Sequence, residues 1–107
     1  MVVLSITMKL YKIIFHPEAQ KELLSLDGSV KIAVLKQIKK LEQFPQLGEL
    51  LGNKHGYDLT NYRKLYAQKK SIRIIYSIIE EQIIVKIIAI GRREDFEVYK
   101  DANDRID

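Results

Sequence analysis

Apolar and polar positions change their period several times along the chain. "KLYKIIF", Lys9 to Phe15, alternates and then runs apolar, which predicts a strand. His16-Pro17 breaks it, and Pro17 suits the first turn of a helix, where its missing N–H has no helical partner to lose. "PEAQKELLSL" then places Ala19, Leu23 and Leu24 on one helical face, and Asp27-Gly28 ends that helix. A second helix is expected from about Ser29 to Phe44. Val30, Val34, Leu35, Ile38 and Leu41 form its buried stripe, Lys31, Lys36, Lys39 and Lys40 mostly face water, and Pro45 stops it. The two helices form a hairpin.

Pro45 to Tyr57 holds three of the five glycines and no period, and reads as a loop. Three strands follow, Tyr62 to Ala67, Ile72 to Ile79 and Ile83 to Ile90. The short joins "QKKS" and "EEQ" predict antiparallel hairpins. In the middle strand Ile72, Ile74, Tyr76 and Ile78 share one face, and Arg73, Ile75, Ser77 and Ile79 the other. Beyond a turn at Gly91, Phe96, Tyr99, Asn103 and Ile106 have helical spacing, with Glu94 or Asp95 as the cap. The expected fold class is α+β: a small antiparallel β-sheet with an N-terminal helical hairpin packed on one face and a short C-terminal helix, in the order β-α-α-β-β-β-α.

A chain of 107 residues suits one domain, 1–107. The pattern above starts at Met8, so residues 1–7 read as an upstream extension or a misassigned start codon. No apolar run approaches the roughly 20 residues of a spanning helix, and the N-terminus lacks the pattern of a signal peptide. There is no cysteine, which excludes disulfides and thiolate metal sites and is compatible with a reducing cytosol. The net charge of +4 suggests an anionic partner. Its distribution is more informative. Between Arg63 and Arg93 lie Lys64, Lys69, Lys70, Arg73, Lys86 and Arg92, against only Glu80 and Glu81.

Familiar catalytic sites are missing. There is no phosphate-binding glycine loop and no zinc-type histidine pair. His16 reads as a strand-end or helix-entry residue. His55 is a loop residue within reach of an anion or simply solvated. Glu80 and Glu81 form a hairpin turn. No acidic cluster suits magnesium, so no metal and no cofactor are expected. What remains is cations on strands. Lys64, Arg73 and Arg93, from three successive strands, can gather on the sheet face not used by the hairpin, with Tyr99 closing the rim. Such a patch suits phosphate, since arginine offers a planar fork of donors. A lysine crowded by arginines should have a lowered pKa and could serve as a base. RNA supplies its own nucleophile, the 2′-hydroxyl. A plain solvated basic surface, and for Tyr99 simple packing beside Phe96, fit the same pattern.

The residues "YRKLYAQKKSIRIIYSIIEEQIIVKIIAIGRREDFEVYKDANDRI" resemble the RelE toxins of bacterial and archaeal toxin–antitoxin pairs. The shared features are arginine, two apolar residues and tyrosine on a strand (Arg73 to Tyr76), then Gly91 to Glu94, then "EVY" (Glu97 to Tyr99). "YKIIFHPEAQKELLSL" is also similar to the family's first strand and helix, so the resemblance spans about residues 8–106. It implies the fold already expected. It also implies a cytoplasmic, metal-independent, ribosome-dependent mRNA endoribonuclease that cuts messenger in the ribosomal A site.

By that resemblance the catalytic positions are Lys64, Arg73, Arg93 and Tyr99. Lys64 would activate the 2′-hydroxyl or stabilise charge, and Arg73 the phosphorane-like transition state. Arg93 would act as acid or electrostatic clamp at the leaving oxygen, and Tyr99 would stack on, orient or assist. Tyr66, Lys69, Lys70 and Arg92 are the expected RNA-binding residues. The family carries a second lysine two residues after the first, and here Tyr66 stands in that place. The resemblance further implies a cognate antitoxin as partner, operator DNA only through the antitoxin complex, and no membrane. Two alternatives stay open: a DNA gyrase inhibitor like the related ParE toxins, or a catalytically degenerate homologue acting only through antitoxin binding and operon autoregulation.

Overall fold

A computed structural model describes residues 9–93 and 96–106. The extension 1–7, the start at Met8 and the cap by Glu94 or Asp95 lie outside the described residues. In chain order the elements are β1 (Lys12–Phe15), α1 (Pro17–Leu24), α2 (Gly28–Lys40), β2 (Glu49–Lys54), β3 (Tyr57–Ala67), β4 (Ile72–Ile79), β5 (Ile84–Arg92) and α3 (Glu97–Asp104). Single 3-10 turns lie at Pro45–Leu47 and Glu80–Gln82. The five strands form one sheet in the order β1-β5-β4-β3-β2. Pairing is antiparallel except between β1 and β5, which run parallel with Lys12 opposite Ile84.

The fold is the expected α+β class with one strand more than expected. Within the stretch read as a loop, Glu49–Lys54 pairs with β3 as the edge strand, and β3 begins at Tyr57 rather than Tyr62. Alternation fails there because the ladder is irregular. The register shifts between Leu50 and Gly52, Asn61 has φ +72°, and both Leu59 and Tyr62 turn to the same face. Such an extra residue is unpaired and hides the period of two.

Two apolar clusters lie on opposite sides of the sheet. The first joins Ala19 and Leu23 of α1 and Val34, Ile38 and Leu41 to Leu65, Ile72, Ile74, Tyr76, Val85, Ile87 and Ile90. Leu24 and Leu35, assigned to the buried stripes by spacing, are exposed instead. Both helices are short, and each buries a face narrower than the spacing rule allows. His16 caps α1 through Nδ1, which accepts from the Glu18 amide at 3.1 Å. The second cluster holds α3 on the opposite face. Val98, Tyr99 and Ala102 pack on Leu51, Leu59, Ile75, Ile88 and Ala89.

A bulge in β5 makes that second cluster fit. Ile75 is opposite Ala89 while Tyr76 is opposite Ile87, so Ile88 is the extra residue. Ile88 and Ala89 therefore both turn toward α3. The backbone freed by the bulge is claimed by one ion pair. Arg105 Nη1 donates to the Ile88 carbonyl at 2.9 Å and to Glu22 Oε1 at 2.8 Å. Glu22 Oε1 also accepts from the Ile90 amide at 3.0 Å, and Arg105 Nη2 donates to Glu22 Oε2 at 3.0 Å.

Gly91 lies within β5 rather than at a turn leading out of the sheet. A Cβ there would come within 3.0 Å of the Val98 Cβ, so its bare backbone is what lets α3 approach. Gly48 is tighter still. A Cβ would meet the Lys64 carbonyl at 2.6 Å and both Cε1 and the hydroxyl of Tyr76 at 2.8 Å. That hydroxyl is fixed, donating to the Pro45 carbonyl at 2.6 Å and accepting from the Gly48 amide at 2.8 Å. Gly48→Ala should therefore destabilise the fold by about 1–3 kcal/mol, the usual range for overpacking. Urea denaturation checks this, and an unchanged midpoint would contradict the packing described.

Candidate functional site

The register of the sheet fixes a row of side chains on the α3 face. Tyr66 of β3 is directly opposite Arg73 of β4, and Arg73 is directly opposite Gly91 of β5. Lys64, two residues before Tyr66, shares its face. Arg93 follows the end of β5 and is held at the row by its amide, which donates to the Ser71 carbonyl at 2.8 Å. Lys64, Tyr66, Arg73 and Arg93 thus converge, and α3 brings Tyr99 to the same place.

Tyr66 is the hub of this arrangement. Lys64 Nζ donates to its hydroxyl at 3.1 Å and lies 5.0 Å from the ring centroid. The guanidinium carbons of Arg93 and Arg73 lie 5.6 Å and 6.0 Å from that centroid. These are cation–π distances. The cations also act on the phenol itself. The hydrogen bond from Lys64 lowers its pKa most, burial opposes, and hydrogen bonding and charge from Arg73 lower it further, to about 8.

Arg73 is only 7% exposed, and it is the one charged residue among the described core. Its guanidinium faces three rings, those of Tyr99 at 5.1 Å, Phe96 at 5.4 Å and Tyr66. Its Nε and Nη1 are buried and have no hydrogen-bond partner. A buried guanidinium with two unspent donors is costly unless an acceptor arrives. Nε and Nη1 point to different edges of the planar guanidinium, so each calls for an acceptor of its own, and a charged oxyanion is a suitable one.

Tyr99 is nearly buried at 2% exposure. It forms a floor against Arg73 instead of closing the rim, because α3 docks through Val98, Tyr99 and Ala102 on the bulged strand. The rim is made by two residues the sequence did not single out for it. Phe96 is exposed, and the His55 ring lies 4.5 Å from it and 5.5 Å from Tyr99. His55 sits at φ +50° in the β2–β3 turn, and only the pairing of those strands carries it there. No spacing signal reveals that pairing.

The remaining expected RNA-binding residues lie elsewhere. Arg92 is opposite Ile72 and so belongs to the helical face, beside Glu22 and Asp27. Lys69 and Lys70 lie in the β3–β4 turn at positive φ, lining a separate groove with Lys36, Gln37 and Lys40 of α2 and with Tyr66. Arg63 is structural, donating to the Gly48 carbonyl at 2.7 Å. Among the described residues no three histidine or carboxylate side chains come together as metal ligands.

A shape-matched neutral side chain at Arg73 would remove the cost of the unspent donors while keeping the aromatic packing. Arg73→Met should leave stability unchanged or raise it by up to about 2 kcal/mol. Chemical denaturation of the free protein is the check, and a loss of more than about 1 kcal/mol would mean that the arginine holds the core together.

The geometry has counterparts among known proteins. The family model for the ParE toxin of type II toxin-antitoxin system, parDE, matches residues 13–95. A putative RelE-like toxin protein of Escherichia coli is 31% identical over 98 residues, covering 90% of this chain and 97% of that protein. The mRNA interferase toxin RelE of Escherichia coli is 29% identical over 98 residues with the same coverage. A mutant of E. coli toxin RelE in the free state matches with a TM-score of 0.75 at 26% identity, covering 91% of this chain and 98% of that one. The same toxin in complex with an antitoxin RelBc peptide matches with a TM-score of 0.66 at 26% identity, with equal coverage. The chain is a RelE-type toxin of a type II toxin–antitoxin system and belongs to the RelE/ParE superfamily.

Proposed function

We propose that the protein is an endoribonuclease that cuts messenger RNA in the ribosomal A site without a metal. The observation that carries this reading is Arg73, a buried guanidinium with two unpartnered donors, flanked by Lys64 and Arg93. A guanidinium of this kind is paired when the covering side chains part and an oxyanion reaches it, which offsets the cost of its burial. The likeness to proteins named mRNA interferases supports the same reading.

In the reaction the 2′-hydroxyl of the substrate attacks the adjacent phosphorus, and the bond to the 5′-oxygen breaks. Arg73 takes the non-bridging oxygens, its plane set by the Tyr99 floor. Arg93, exposed and at the end of the row, clamps charge at the leaving oxygen. Lys64 supplies a further positive charge through its bond to Tyr66. Phe96, exposed at the rim, offers a ring face to a base, and Lys69 and Lys70 extend the field along the backbone of the RNA. Arg92, on the other face, serves a partner rather than the cut RNA. A cognate antitoxin is the expected inhibitor, with operator DNA bound only through that complex and the cytoplasm as the setting.

One observation favours a second reading. The matching family model is that of ParE toxins, whose target by resemblance is DNA gyrase. Expression of the wild type beside Arg93→Ala, with primer extension on a translated messenger, separates the two. Codon-phased cuts reduced about 10²–10³-fold by the substitution are expected, the usual loss for one charge-stabilising donor. Growth arrest with intact messenger and blocked supercoiling would establish the gyrase reading instead. Toxicity from neither protein would point to antitoxin binding alone.

A further inference from the structure

The position at which RelE-like sequences carry a second lysine is occupied here by Tyr66, and the structure gives this phenol its own role. We infer that Tyr66, as phenolate, is the general base that takes the proton from the attacking 2′-hydroxyl; this rests on the nuclease reading above. The geometry is what recommends it. Lys64 Nζ donates to the Tyr66 hydroxyl at 3.1 Å. An ammonium has three donors and no acceptor, so in that state Lys64 cannot itself receive a proton. As a phenolate, the oxygen receives Lys64 and Arg73 and keeps a third acceptor direction for the substrate. Tyr66 is directly opposite Arg73, so an anion drawn to that guanidinium lies on the strand next to this oxygen.

The cations around the Tyr66 phenol favour its anion. On its own strand stands Lys64, on β4 Arg73, and beyond β5 Arg93. The lysines of the turn and of α2 line a separate groove, where Gln37 Nε2 donates to the Tyr66 carbonyl at 2.7 Å. Among the described residues of the sheet, Glu49 is a carboxylate on this side, one strand away and directly opposite Lys64. Consistent with this, Lys64 first and then Arg73 bring the phenol down to about 8 against the opposing effect of burial. A base whose pKa lies near the working pH is the effective kind.

The step balances without a co-reactant. The phenolate accepts the 2′-hydroxyl proton, and the 2′-oxygen forms its bond to phosphorus. The 5′-oxygen leaves with the electron pair of the broken bond and takes a proton from water. The products are a 2′,3′-cyclic phosphate and a 5′-hydroxyl, and the phenol returns its proton to solvent.

Two measurements test the assignment. Near-ultraviolet titration of tyrosinate in the wild type and in Tyr66→Phe should show one step near pH 8 that only the wild type has. Single-turnover cleavage of a messenger on programmed ribosomes should rise tenfold per pH unit and level off above about pH 8. Tyr66→Phe should be about 100-fold slower and lack that rise, and Tyr66→Lys should recover activity. Cleavage by Tyr66→Phe at the wild-type rate with the same pH profile overturns this assignment alone. A tyrosinate titration identical in the two proteins also overturns it. No cleavage by the wild type at any pH overturns the nuclease reading and this assignment with it.

Discussion

The Glu22–Arg105 ion pair is the contact on which the site depends. It joins α1, on one side of the sheet, to the C-terminal end of α3, on the other, around the exposed backbone of the β5 bulge. The side chains are 27% and 14% exposed, so much of their hydration is lost. That loss is recovered only because each group also serves the strand: the carboxylate accepts from Ile90, and the guanidinium donates to Ile88. A half-buried pair with no further partners would gain little or nothing. With the backbone included, the pair turns a local defect in the ladder into an anchor. Val98, Tyr99 and Ala102 are then held against the face that carries Arg73.

The cationic row shows the opposite economy. Arg73 is desolvated by a tyrosine floor, a phenylalanine edge and Tyr66, while two of its donors are left unspent. Cation–π contact with three rings offsets part of this at roughly 0.5–2 kcal/mol each. The remainder is an uncompensated cost carried by the protein. A phenol depressed by the same cations adds a group that ionises near neutrality. One cluster therefore both gathers positive charge and lowers a phenol, and both properties come from packing an aromatic residue among the cations.

Much of this was legible in the chain. The hairpin joins, the alternation in Ile72 to Ile79 and the stripe of Val34, Ile38 and Leu41 all have periods that burial enforces. The failures have physical causes. β2 is a short edge strand with Gly52 at φ +62°, where pairing with β3 rather than side-chain pattern stabilises it. The parallel pairing of β1 with β5 leaves no trace in either segment, since both are simply apolar. The bulge at Ile88 moves one residue across the sheet inside an unbroken apolar run, so no alternation marks it. The clustering of Lys64, Arg73 and Arg93 followed from counting strands. His55 at the rim did not, because its place depends on a strand pair that the glycines conceal.

The sheet order has a consequence for the life of the chain. β5 lies between β4 and β1, so the N-terminal strand has no partner until a segment some seventy residues later has been made. Contacts of such long range are slow to close and come late. Arg93 and α3 belong to that last segment or follow it. The cationic row is therefore assembled late in folding, after the strands on which it rests have been ordered.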